Sequence, residues 1–174
     1  MSQKYGLGLV SISMGAIAGD GGMGTSLSAL GNTVQGSATL TSGDDTTTDF
    51  NIEEQDDPVQ SIVSQKGKKT LAWSCYDVDG ATLYKLFGGT YTPYNATGPV
   101  QEKWDAPAAS VTLYQSIAIV DKNGNTINIV RALITAKFNW SFTKDKLAQI
   151  DLTAAVLTPT KANTPPITIL YPLP

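Results

Sequence analysis

The chain has 174 residues, of which 16% are charged, with a net charge of −3, no histidine and one cysteine. That length is one domain with room for a real core, and the acidic balance argues against a nucleic-acid clamp, which needs Lys and Arg against phosphates. Without histidine there is no Ser-His-Asp or Cys-His catalysis and no His-bearing zinc site, and the lone Cys75 forms no intrachain disulfide.

A charged fraction well below the roughly 25% of ordinary soluble domains implies a surface hidden in part against other copies of the chain. No stretch approaches the ~20 apolar residues of a membrane-spanning helix.

Residues 5–18, YGLGLVSISMGAIA, begin like a secretory leader, with Lys4 ahead and Ala16-Ile17-Ala18 as a cleavage motif. Ser11, Ser13 and three glycines break the apolar run, and its partial alternation predicts a first strand over 5–17. Gly19, Gly21 and Gly24 then spell G-x-G-x-x-G, with Asp44 about 20 residues on, as a dinucleotide fingerprint asks. The helix that the fingerprint needs is too short, because TSLSALGNT meets Gly31, and no βαβ pattern follows. The glycines read as a loop, and no cofactor is expected.

Segments 33–41, 46–53 and 58–64 are β-prone, the last opened by Pro58. Asp44, Asp45, Asp49, Glu53, Glu54, Asp56 and Asp57 are seven of the fifteen acidic residues, with no Lys or Arg among them. Charge runs of this kind are usually solvated surface. Oxygen ligands are plentiful, but the EF-hand spacing is absent here, as it is at Asp77-x-Asp79-Gly80 and Asp121-x-Asn123-Gly124-Asn125. No metal site is expected.

From Gly67 to Gly89 the period changes. Leu71, Trp73 and Cys75 alternate with Thr70, Ala72 and Ser74, predicting a half-buried strand over 68–77 in which Cys75 is a small buried hydrophobe. Asp79 is then a natural N-cap, Leu83, Leu86 and Phe87 share a helical face, and Gly88 suits the C-terminal turn. This predicts one short helix over 79–87. Residues 88–109 show no period, and Tyr91, Tyr94 and Trp104 suit a subunit contact.

Strands are predicted over 110–120, 126–142 and 148–158, with Asn123-Gly124 as a tight turn. Ile134, Ala136, Phe138, Trp140 and Phe142 share one face, which predicts an aromatic inner surface. The expected core comprises Trp73, Leu83, Phe87, Phe138, Trp140, Ile150 and Leu152. The proline-broken tail suits an edge strand, 167–171, added to a neighbour.

Two segments, KGKKTLAWSCYDVDGATLYKLFGG and INIVRALITAKFNWSFTKDKLAQIDLTAAVLTP, together resemble the major tail (tail tube) proteins of tailed bacteriophages, over roughly residues 55–158. The resemblance lies in pattern, since that family has no catalytic signature. It implies a mainly β, antiparallel β-sandwich or barrel flanked by one helix, as a single domain over 1–174. It also implies an N-terminal arm (1–20) and a Pro-rich C-terminal arm (159–174) that make contacts within and between rings. The implied function is structural rather than enzymatic: hexameric rings stacked into a tube around a lumen through which DNA passes. The implied partners are further copies, a tape measure protein, a tail terminator, baseplate or tail-tip proteins, and a sheath if the tail is contractile. The implied place is the virion tail, assembled in the host bacterial cytoplasm, with no membrane partner.

In that setting the seven carboxylates between Asp44 and Asp57 form a loop facing the next ring or the lumen, with Lys66, Lys68 and Lys69 of a neighbour as their counter-charges. The alternative is a secreted β-sandwich adhesin or carbohydrate-binding module, which cleavage of residues 1–18 would favour.

Overall fold

The computed structural model describes residues 5–6, 8–95, 97–98, 101–109 and 111–172. The outermost parts of both arms (1–4, 7 and 173–174) and the first residue of the strand expected at 110–120 lie outside the described residues. The protein is mainly β and antiparallel with one short helix, as the alternation predicts. Its strands are β1 (Leu9–Ala16), β2 (Ser28–Ala29), β3 (Thr39–Ser42), β4 (Thr46–Ile52), β5 (Gln55–Gln65) and β6 (Lys69–Cys75). After helix α1 (Gly80–Phe87) come β7 (Thr90–Thr92), β8 (Lys103–Asp105), β9 (Leu113–Asp121), β10 (Thr126–Asn139), β11 (Gln149–Val156) and β12 (Ile167–Leu170).

Eight strands form one sheet in the order β2-β1-β9-β10-β11-β6-β3, with β12 also on β10, while β4-β5 and β7-β8 are separate two-stranded ribbons. This arrangement is compatible with the expected β-sandwich. The centre of the core is the β6–β11 ladder. Its register sets Leu71 opposite Ala154, Trp73 opposite Leu152 and Cys75 opposite Ile150. All six are buried. Side-chain period 2 puts every second residue of both strands on one face, so the alternation in the sequence becomes one apolar layer. Burial of each large side chain there contributes about 1.5–3 kcal/mol. Ile12 and Met14 of β1 belong to the same core, so residues 9–16 form a strand that the core is built on.

Strand β10 changes neighbours partway along. Thr126–Ile129 pair with β12, and Ala132–Asn139 pair with β11. Between Ile129 and Ala132 the register against β9 slips, from Ile129↔Ile117 to Ala132↔Gln115. The extra residue is a bulge, which bends a strand and leaves ladder groups without partners. The freed groups of Val130 are met from elsewhere: its N–H donates to the Pro166 carbonyl (3.1 Å), and its carbonyl accepts from the fully buried Ser116 hydroxyl (2.6 Å). Ser116 Oγ in turn accepts from the Gly24 N–H (2.9 Å), which ties the glycine loop to the bulge. The loop is anchored again where Lys161 pairs with Asp20 (2.7 Å). Gly21 and Gly24 therefore serve close packing, in a segment with no crossover helix, whereas a side chain at Gly19 would meet open space.

Helix α1 has the predicted ends. Asp79 accepts from the Thr82 N–H (2.8 Å), Gly88 sits at φ 73° and returns its N–H to the Tyr84 carbonyl, and Leu83 and Leu86 are buried. Asp121 organises the predicted turn, accepting from the backbone N–H groups of Asn123 and Asn125 (2.9 Å each), with Gly124 at φ 81°.

Four expectations are corrected. Phe138 and Trp140 are 48% and 44% exposed, and Phe142 is 94% exposed, so the aromatic face is not an inner one. The face itself is right, since Ile134 is buried and Ala136 partly so, but the strand outruns the core beneath it. The strand expected at 33–41 begins at Thr39; before it lie a single bridge from Thr33 to Cys75 and a turn with Gly36 at φ 76°. Residues 88–109, which show no period in the sequence, form a short strand pair: Tyr91 pairs with Trp104 across β7 and β8, and the Trp104 indole N–H donates to the Gly88 carbonyl (2.8 Å). The tail strand β12 pairs with β10 of its own chain instead of a neighbour.

Candidate functional site

Two exposed features stand at opposite ends of the β3–β6–β11–β10 part of the sheet. The first is the β4–β5 ribbon. Its two strands pair with each other alone, and every residue in them is exposed. Thr48 lies opposite Ile62 and Phe50 opposite Gln60, so Phe50 and Ile62 share one face two rungs apart. With Ile52, Val59 and Val63, five large apolar side chains on this ribbon are 42–50% exposed.

The seven carboxylates run from its foot to its tip. Asp44 and Asp45 lie at the foot, Asp49 sits on β4 opposite Ser61, Glu53 and Glu54 make the turn, and Asp56 and Asp57 lie on β5. They are therefore part of a strand pair and spread along it, not gathered in a loop. Asp45 accepts from Lys66 Nζ (2.6 Å) and from the Gly67 N–H (2.8 Å), and the Lys66 contact above all holds its carboxyl below the ordinary value. Lys66 thus serves its own chain, and Lys68 and Lys69 follow it at the foot of the ribbon. Among the described residues no three His, Cys, Asp or Glu side chains gather as metal ligands.

The second feature is an aromatic rim. The Phe87 ring stacks on Phe138 with centroids 4.4 Å apart, and Trp104 and Trp140 approach Phe138 edge-on at 6.1 and 5.6 Å. Offset and edge-on pairs of this kind add about 0.5–1.5 kcal/mol each beyond area burial. The chain then turns through Phe142, Lys144, Asp145, Lys146 and Leu147, all exposed. Neither Lys144 nor Lys146 has an ion-pair partner among the described residues.

The register fixes where these features lie. Ser42, where β3 leads into the ribbon, pairs with Lys69 at the start of β6. Cys75 at the other end of β6 pairs with Ile150, which pairs with Phe138. Lys144 and Lys146 had no place in the sequence reading. The signal for them was the apolar alternation running on to Phe142, right up to the TKDK turn.

A polar cluster braces the sheet near the rim. Asp151 accepts from Ser74 Oγ (2.6 Å), Asn139 Nδ2 (2.9 Å) and Gln149 Nε2 (2.9 Å), and these donors, Ser74 first, hold its carboxyl below the ordinary value. Cys75 is fully buried, and burial pushes its thiol up to about 11. Such a thiol is inert, a packing group and not a nucleophile. Neither a protein-family model nor a curated protein matches the sequence.

Proposed function

We propose that the chain is a structural, non-enzymatic subunit of a bacteriophage tail tube, forming hexameric rings that stack around a lumen for DNA. The observation that carries this reading is the β4–β5 ribbon. A lone two-stranded hairpin is at best marginally stable in water, and this one leaves Phe50, Ile52, Val59, Ile62 and Val63 exposed on a ribbon that no third strand joins among the described residues. Exposed apolar patches of this kind mark interaction surfaces, and the low charge of the whole chain fits a surface covered by copies of itself. The net charge of −3 fits a conduit that does not hold DNA.

The test is sedimentation and negative-stain microscopy of the purified protein. Rings and tubes are the expected result. A sample that stays monomeric at every concentration overturns the reading in favour of the adhesin or carbohydrate-binding alternative.

A further inference from the structure

We infer that the β4–β5 ribbon of one copy docks on the aromatic rim of a second copy, so that subunits join head to tail along the strand direction. This rests on the tube-subunit reading, because the partner is another copy of the chain, and it names the two surfaces that meet.

The first argument is charge. Residues 46–65 contain five carboxylates and no Lys or Arg. All 12 cationic residues and the other 10 acidic ones lie elsewhere, so the rest of the chain carries +2. At the rim, Lys144 and Lys146 stand against Asp145 alone in their turn, without ion-pair partners among the described residues. Like charge drives one ribbon from another, whereas the rim turn attracts it.

The second argument is apolar area. Phe142 and Leu147, 94% and 69% exposed, lie in the β10–β11 connection that follows the half-exposed Phe138 and Trp140, and they need the same cover that the ribbon's Phe50 and Ile62 need. Interface cores are rich in such aromatic groups.

The third argument is position. Ribbon and rim leave β6 at its opposite ends, Lys69 and Cys75, six residue steps apart, or about 20 Å at ~3.3 Å per residue. Two different patches facing opposite ways cannot close into a two-fold dimer through one another. They make a heterologous contact, which repeats along an axis.

The experiment compares the critical concentration for tube assembly of wild type, Asp56→Lys/Asp57→Lys, Lys144→Glu/Lys146→Glu, and all four changes together. Every changed side chain is exposed, and equal melting temperatures of the unassembled proteins establish that each variant folds. Each two-site reversal should raise the critical concentration about 10-fold or more, the equivalent of ~1.4 kcal/mol, and the combined variant should recover most of it. Phe142→Ala, which alters no charge, should also raise it.

A combined variant no better than the single reversals overturns the pairing of these two surfaces. Wild-type tubes unmoved by both the Lys144→Glu/Lys146→Glu and Phe142→Ala changes overturn the docking and leave the tube reading standing. A wild-type protein that never assembles overturns both. Duplex DNA bound through Lys144 and Lys146, with assembly untouched by their reversal, gives the rim a different occupant and overturns the inference.

Discussion

Ser116 carries more than its size suggests. Its hydroxyl, wholly buried, closes the Val130 carbonyl at the β10 bulge and the Gly24 N–H of the glycine loop at once. Removing it strands two buried backbone groups, each costing about 1–3 kcal/mol when unpaired. Ser116→Ala should therefore destabilise by roughly 2–6 kcal/mol in urea titration, on that same scale; a loss within ordinary surface scatter of about 0.5 kcal/mol would show that the bulge does not depend on it. Asp151 makes a pH-dependent contribution whose sign is fixed. Its folded carboxyl lies below the unfolded value of 3.8, because Ser74, Asn139 and Gln149 all donate to the charged form. The stabilisation is fully present above that unfolded value and is lost as pH falls through the lower, folded one. The stability gap between wild type and Asp151→Asn should thus be open at neutral pH and close on acidification below 3.8; a gap that widens in acid would mean the carboxyl is held neutral instead.

At the level of elements, the legible part of the fold was where one period held and both ends were marked. The β6–α1 segment is the clearest case: alternation through Cys75, an Asp79 cap and Gly88 at positive φ all appear in the sequence and all form. What the sequence hid was depth. Alternation says which residues share a face, but not how far the opposing layer extends, so Ile134 and Phe138 look alike in sequence while one is buried and the other 48% exposed. The bulge did leave a mark. Apolar residues fall on odd positions at Ile127 and Ile129 and on even positions from Ala132 to Phe138, and only an inserted residue reconciles the two phases. The acidic run was legible as composition; its placement along a free ribbon needed the β4–β5 register. These depths predict a ranking. Leu152→Ala, in the core centre, should cost about 2–5 kcal/mol, whereas Phe138→Ala loses chiefly its ring contacts, about 1–2 kcal/mol. Equal losses in denaturant unfolding would place the core boundary beyond Phe138.

For the whole molecule, the proposed junction would separate assembly from folding, because the ribbon supplies no residue of the buried core. Replacing residues 46–65 by a short polar turn removes no residue of the buried core. That variant should keep its far-ultraviolet circular dichroism and cooperative melting; a molten, non-cooperative product would mean the ribbon is part of the fold. It retains the rim and lacks the ribbon, while Lys144→Glu/Lys146→Glu retains the ribbon on a weakened rim. In a head-to-tail contact each variant can offer only one working surface. Neither should elongate alone, and mixing them should create one good junction per pair and then stop, because both remaining surfaces are defective. Sedimentation of the mixture should accordingly show a discrete doubled species, a pair of rings if ring closure uses other contacts, and a small fraction of the ribbon-less variant should shorten wild-type tubes. Long tubes from the mixture would mean that ribbon and rim are not the two halves of one repeating junction.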